Sequence, residues 1–334
     1  MEQFASLKTC RVESFEELSE VIAGTRRDIV QIGRGQIRGR LVHASVKDLP
    51  IDLANFNLGV RSRGESKKER LIICMLTGSA NRVTRSSYES HPGDVMVTAP
   101  GAERENRYYG GASICAIAPT ISDIEAVFCT EAQRFDPATW YDRQFSGNAD
   151  TIGHVIPRLR TLIGRLGTAG ANLTEEASEF WKRALIEAMT KSIMEGLPSE
   201  RNGPLPSALR TIRQVEEVLD AQGATLMHIS QICAVLRISR RTLHRAFREV
   251  LGVGPIAFLR YRRLCSVHTA LRSDSPPQGT IADVALQYGF LNVGRFAQYY
   301  HELFGEYPSD TRRRRDAAYP ATDERHTFSE LGVA

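Results

Sequence analysis

The sequence predicts an α+β fold: an amino-terminal β-barrel with a helical hairpin, followed by an all-α carboxy-terminal domain made of two helix–turn–helix units. Three observations carry that expectation. From Asp28 to Ala118 short β-rich runs recur at 8–15-residue spacing, with Gly, Pro and Ser between them. From Asn148 the apolar residues fall at helical spacing instead. The stretch Ile229–Pro255 is then repeated at Ile281–Pro308.

At 334 residues the chain is long enough for two domains. Its 42% hydrophobic and 25% charged content is ordinary for a soluble globular protein. No basic-then-apolar signal segment opens it, and no apolar run approaches the ~18 residues of a membrane span, so a cytoplasmic protein without membrane association is expected. The six cysteines (Cys10, Cys74, Cys115, Cys129, Cys233, Cys265) are scattered without C-x-x-C and read as reduced core residues, not zinc ligands or disulfides. The expected divisions are 1–147 for the β-barrel, 148–197 for the hairpin, 198–206 for a linker, 207–315 for the repeat domain and 316–334 for a loose polar tail.

In chain order, Met1 to about Gly24 reads as a lead-in with one short helix from Phe15 to Ile22. Strands are expected at Asp28–Ile32, Ile37–Val46, Ile51–Val60, Arg70–Leu76, Asn81–Ser87, Val95–Ala99 and Ser113–Ala118. His91-Pro92-Gly93-Asp94, running on to Pro100-Gly101, resembles the turn-and-strand element of cupin barrels. A catalytic barrel of that kind needs a cluster of histidines and a carboxylate around a metal. Only His43 and His91 lie here, far apart, and a surface or satisfied histidine is the commoner reading of each. There is no Gly-x-Ser-x-Gly and no P-loop. Gly33-x-Gly35-x-x-x-Gly39 misses the dinucleotide fingerprint by one residue and lacks a βαβ setting. The barrel therefore reads as a sensor, with no enzyme activity and no cofactor. A metal-dependent enzyme targeted by its tail is the rival class, and bound metal in purified protein would revive it.

The sensor's most unusual feature is its arginines: Arg34-x-x-x-Arg38, then Arg40, then Asn57-x-Gly59-x-Arg61-Ser62-Arg63-Gly64. Arginines this dense are costly to pack and suit a small anionic effector, phosphate above all. R-x-x-x-R ahead of a β-barrel is similar to the cyclic-di-GMP site of PilZ domains, which implies cyclic-di-GMP as effector and Arg34, Arg38, Arg40, Asn57, Arg61, Ser62 and Arg63 as its site. The second motif departs from that pattern, because Asn57-x-Gly59-x-x-Ser62 exchanges the serine and glycine places. Another metabolite, with the arginines merely solvated, and a protein partner remain open as controllers.

Asn148–Leu166 and Leu173–Leu197 read as two helices, able to pack on the chain's own barrel or to pair two copies. Leu197 to Pro206 gathers helix breakers and reads as the linker. The repeat follows. Ile229 matches Ile281 and Ile238 matches Phe290 at an offset of 52; Leu243 matches Phe296 and Leu251 matches Phe304 at 53. One extra residue in the second copy's turn explains the slip, so each copy is a short helix, a turn and a second helix. Ser239 and Asn292 are the candidate N-caps of the second helices, and Gly289 is available for a positive φ. The outward residues are Arg240, Arg241, Thr242, His244, Arg245 and Arg248, then Asn292, Gly294, Arg295, Gln298 and His301. Arg, Asn and Gln make bidentate contacts to base edges, and Arg neutralises phosphate. A solvated helix face is the bland alternative, but it does not explain the repeat. Gln231–Arg263 holds eight arginines against one acid, and no lysine follows Lys191, so this basic patch is all guanidinium.

Ser239-Arg-Arg-Thr-Leu243-His-Arg-Ala-Phe247, Gly252-x-x-Pro255, Arg263-Leu264, Ile281-x-x-Val-Ala285-x-x-x-Gly289-Phe290 and Phe296-x-x-x-Tyr300-x-x-x-Phe304-Gly305-x-x-Pro308 resemble the DNA-binding domain of AraC/XylS transcription regulators. The resemblance covers the last third of the chain. It implies an activator on double-stranded DNA, two units joined by a rigid helix (Phe258–Leu271), a homodimer formed through the hairpin, and contact with RNA polymerase. Arg237 departs from the family, which has a turn-tolerant residue such as glycine there.

Overall fold

The computed structural model describes residues 4–19, 27–128, 136–169, 173–221, 227–273 and 279–318. Cys129, the middle of the predicted hairpin loop, the end of the predicted first helix and most of the predicted tail lie outside these residues.

The amino-terminal half holds two antiparallel sheets. Its strands are β1 (Ala5–Val12), β2 (Asp28–Gln31), β3 (Gly39–Val46), β4 (Leu49–Phe56), β5 (Val60–Glu65), β6 (Ile72–Ser79), β7 (Val83–Arg85), β8 (Tyr88–Ser90), β9 (Val95–Thr98), β10 (Glu103–Tyr108), β11 (Ala112–Ile117) and β12 (Gln144–Phe145). One sheet runs β1-β3-β4-β11-β6-β9-β12 and the other β2-β5-β10-β7-β8.

The middle of the first sheet is covered on both faces, which is why β6 and β11 are largely apolar along their length. Along β6, Ile72, Cys74 and Leu76 enter the core shared with the second sheet, while Ile73 and Met75 enter the core under the helices. In β11, Ile114 and Ala116 divide from Cys115 and Ile117 in the same way. The period of two thus serves two cores at once.

Three sequence expectations need correction. The lead-in is a strand: β1 pairs with β3 from Ala5↔Val46 to Val12↔Gly39. Only Ala5 and Val12 of β1 are buried, because an edge strand exposes its middle, so no apolar alternation marked it. The expected run Ile51–Val60 is divided: β4 ends at Phe56 and β5 starts at Val60 in the other sheet. β10 was missed because Glu-Arg-Glu-Asn-Arg-Tyr looks solvated, yet Arg104 and Arg107 are buried.

Helices α1 (Ile121–Phe128), α2 (Ile156–Ala169) and α3 (Glu175–Glu195) cover the outer face of the first sheet. Ile124, Leu159, Ile163, Leu185, Ile186 and Met189 are buried there with strand residues. The hairpin therefore packs on the chain's own sheet. Thr174 caps α3 through its side chain. Phe180 (71% exposed) and Leu197 (87%) stay outside this core.

The carboxy-terminal half is helical: α4 (Pro206–Ala221), α5 (Ile229–Leu236), α6 (Arg240–Leu251), α7 (Pro255–Arg272), α8 (Ile281–Gln287), α9 (Val293–Phe304) and α10 (Pro308–Ala318). It joins the β-domain through one continuous core that includes Phe15, Ile29 and Val60 on the sheet side and Ile212, Val215, Phe258 and Phe304 on the helical side.

Polar contacts reinforce that junction. Arg61 of β5 is fully buried and donates to Asp28 (2.9 Å), to both oxygens of Glu105 (2.7 and 2.8 Å) and to Glu216 of α4 (2.6 Å). Burial opposes its charge, but Glu105 and Glu216 hold the guanidinium more firmly protonated than usual. Burial also pushes the Glu216 carboxyl up, against the pull of Arg61.

His268 of α7 makes a second junction, with Nδ1 2.7 Å from Glu16 and Nε2 3.6 Å from Glu306. Burial lowers its pKa, but the two carboxylates outweigh that and the net shift is upward from the ordinary histidine value. A group with a raised folded pKa stabilises fully below its unfolded value and loses that contribution as pH climbs through the folded one. The midpoint of urea unfolding is therefore expected to fall as pH rises from about 6.5, and His268→Gln should flatten that fall. An unchanged slope in the variant would remove His268 from the account.

Candidate nucleic-acid interface

The two helix–turn–helix copies match in detail. The αL residue after the first helix is Arg237 (φ 53°) in one copy and Gly289 (φ 80°) in the other. The next amide closes the same bond in each: Ile238 N to Cys233 O at 3.1 Å, and Phe290 N to Ala285 O at 2.9 Å. Arg237 thus holds a conformation natural to glycine, at a cost of about 1–2 kcal/mol.

The second helices then start on side-chain caps, with Thr242 N donating to Ser239 Oγ (3.0 Å) and Arg295 N to Asn292 Oδ1 (2.9 Å). Because Ile238 matches Phe290 and Ser239 matches Asn292, the extra residue of the second turn is Leu291, which is 87% exposed. The slip leaves the core register of the second helices intact.

Both second helices bury one stripe. Leu243, Phe247 and Leu251 of α6 correspond to Phe296, Tyr300 and Phe304 of α9, all buried. The opposite stripe is open: Arg240, Arg241, Arg245 and Arg248 on α6, and Gly294, Arg295, Gln298 and His301 on α9, are exposed, with Thr242 and His244 half-buried. Four of the predicted readers have local duties, Thr242 through a 2.9 Å bond between its hydroxyl and that of Ser239. Asn292 caps α9, Gln298 donates to Glu302 (3.2 Å), and His301 stacks on Tyr307 at 4.4 Å between ring centroids.

Helix α7 fixes the spacing of the two units. Its Arg263 lies over the Phe290 ring (5.2 Å) and Arg260 over Tyr299 (4.1 Å), so the joining helix grips the second unit at its turn and along α9.

The β-domain holds both α6 and α9 at equivalent carboxy-terminal positions. Val250 O accepts from Tyr109 Oη (3.4 Å), and its counterpart Leu303 O accepts from Gln31 Nε2 (2.7 Å) and Gly35 N (3.0 Å). Arg107 adds a bond to Leu251 O at 3.1 Å, with burial lowering its pKa to about 10. The C-cap glycines make this approach feasible. Gly252 and Gly305 share φ 70°, and a Cβ would lie 2.7 Å from the Tyr109 ring in the first and 2.9 Å from Gln36 N in the second. These grips leave the open faces of α6 and α9 uncovered.

The predicted effector residues do not form one site. Arg34, Arg38 and Arg40 are exposed. Asn57 braces their loop, accepting from Arg38 N (2.7 Å) and donating to Gln36 O (3.2 Å). Arg61 is withdrawn from the set because its guanidinium is enclosed by three carboxylates. Ser62 is buried and accepts from Arg27 Nε (2.7 Å), and Arg63 is engaged by Glu103 and Glu216. His43 sits 2.7 Å from Asp52, whereas His91 is exposed. Sequence reading missed Arg27, Gln31, Arg85, Arg104, Arg107 and Glu216. The arginines and glutamates of Val60–Glu65 and Glu103–Tyr108 were the available signal, since such pairing strands bring their charges face to face.

Two linked helix–turn–helix units with open polar faces, arginine-rich in the first, define a helix–turn–helix domain. A family model described as a helix-turn-helix domain matches residues 232–314. The XylDLEGF operon transcriptional activator 2 of Pseudomonas putida is 34% identical over 127 residues, 38% of this chain and 76% of that protein. Another XylDLEGF operon transcriptional activator of that species is 32% identical over 130 residues, 39% of this chain. A solved structure of a probable AraC family transcriptional regulator from Rhodopseudomonas palustris is 38% identical, covering 32% of this chain and 97% of its own, with a TM-score of 0.30. The chain belongs to the AraC/XylS family of transcription regulators. The chain spans only 38% of the length of this second XylDLEGF operon activator.

Proposed function

We propose that the protein is a DNA-binding transcription regulator, an activator without catalytic activity, whose β-domain controls how the two reading helices meet the duplex. The observation that carries this is the pair of equivalent helices, α6 with an arginine-rich open face and α9 with Arg295, Gln298 and His301 open, on a frame set by α7. The curated relatives are named as activators, which favours that direction of control.

Arg241→Ala is expected to weaken operator binding by about 1–3 kcal/mol if the guanidinium reads a base, and to lower the salt slope by about one if it neutralises phosphate. The check is titration of a selected operator duplex at several salt concentrations. Binding unchanged in both Arg241→Ala and Gln298→Ala would sink the assignment of the reading face.

The effector reading is an anion, and cyclic-di-GMP on the exposed pair Arg34 and Arg38 is its sharpest form. Among the described residues the Arg38 guanidinium makes only a 3.1 Å bond to Gln36, so it can turn to phosphate. Calorimetric titration with cyclic-di-GMP should show micromolar binding, on the order of 8 kcal/mol, that Arg38→Ala loses; no detectable heat excludes that ligand. The same proposal has two copies pairing through the exposed Phe180 side of α3, the activator contacting RNA polymerase, and a cytoplasmic site of action. No helix among the described residues is long and apolar enough to cross a membrane.

A further inference from the structure

The linker runs along the β-domain before α4 starts. Gly203 N donates to Ser87 O (2.9 Å) and Glu89 N to Asn202 Oδ1 (2.9 Å). Between the β7–β8 turn, this linker and the first turns of α4 lies a cleft of about 300 Å³ lined by Arg104, Arg201, Arg210 and Arg213, with Glu103 and Asp142.

The acids in the cleft are already engaged. Asp142 accepts from Arg104 (2.6 Å), and Glu103 accepts from Arg213 (2.9 Å) and from Arg63. Arg201 and Arg210 have no ion pair among the described residues. The amino terminus of α4 adds its partial positive charge, and no acid occupies its first turn.

The floor is more telling than the rim. Arg104 is buried, and its Nη1 has only a long bond to Ser86 Oγ (3.3 Å). Two further buried guanidiniums stand behind it. Arg85 bonds only neutral acceptors: Ser90 Oγ (2.8 Å), Cys74 O (2.8 Å) and Asp94 O (3.0 Å). Arg27 is 6% exposed, and its Nη2 has no partner among the described residues. Burial lowers the pKa of Arg104, Asp142 opposes that, and Arg85 and Arg27 add to the lowering. Buried cations this poorly matched by carboxylates are costly without an anion near them.

We propose that this cleft is an oxyanion site, taking a small ligand through a carboxylate or phosphate group held by Arg104, Arg201 and Arg210. The proposal deepens the effector reading above and rests on it for its regulatory consequence. A ligand here touches the β7–β8 turn, the linker and α4, and so couples the β-domain to the helix–turn–helix frame.

The test uses the full chain and two probes, inorganic phosphate and acetate, each against chloride at matched ionic strength, read by calorimetry and melting temperature. Phosphate or acetate should raise the melting temperature beyond chloride, and which of them does so assigns the ligand group. The exposed variant Arg201→Gln/Arg210→Gln should keep its fold and bind the probe about tenfold more weakly or worse. Arg158→Gln/Arg160→Gln, which removes two exposed arginines of α2, should bind as the unaltered protein does. Equal shifts with chloride, undiminished binding in Arg201→Gln/Arg210→Gln, or loss in Arg158→Gln/Arg160→Gln would each overturn the site. Probe binding that follows this pattern in a protein with no affinity for duplex DNA would support the cleft and refute the regulator reading.

Discussion

Arg61→Met is expected to lower the free energy of unfolding by about 3–5 kcal/mol. The side chain it removes is wholly enclosed and makes four bonds to three carboxylates, one of them on α4. Without it Glu216, 1% exposed, keeps only Arg63 as a paired cation. An uncompensated buried carboxylate dominates the loss, more than the missing contacts do. The double variant Arg61→Met/Glu216→Leu should therefore recover much of the stability, because removing both charges also removes the desolvation penalty. Urea unfolding of the two variants and the unaltered chain checks this. A loss below about 1 kcal/mol for Arg61→Met would mean the network behaves like exposed ion pairs.

Phe258→Ala should cost a similar amount, about 3–5 kcal/mol, but through packing. Phe258 is fully buried at the start of α7, edge-on to Phe247 of α6 at 5.6 Å, with the Arg61 guanidinium 6.0 Å from its ring. It lies where α6, α7 and the second sheet meet. Both tryptophans, Trp140 and Trp181, lie in the amino-terminal half, so their fluorescence reports on the β-domain while far-ultraviolet dichroism also follows the helical repeat. The two probes should unfold together in the unaltered chain, as one shared core requires. In Phe258→Ala the dichroism should fall first, and operator affinity should drop because α7 no longer sets the spacing. Coincident curves in Phe258→Ala, with a loss under about 1 kcal/mol, would contradict the place given to Phe258 at this junction.

Much of the reading half was legible because its information is local and repeated. The apolar stripe Leu243, Phe247, Leu251, the caps Ser239 and Asn292, and the glycine at 289 each follow from spacing or backbone chemistry within a few residues. The one-residue slip even located the inserted position, Leu291. The β-domain was less legible. β1 hid as a polar edge, and β10 hid because its buried arginines look like surface residues until their partners are known.

The sequence by itself determined the two helix–turn–helix units, the faces they present and the arginine bias of those faces, since helical period and capping act over neighbouring residues. Tertiary structure alone decided which arginines are free. Arg61 and Arg38 look alike in sequence, yet one is closed off by Glu216, 155 residues away, and the other is exposed. Charge pairing acts through space and not along the chain, so the arginine count alone could not tell an enclosed guanidinium from an open one.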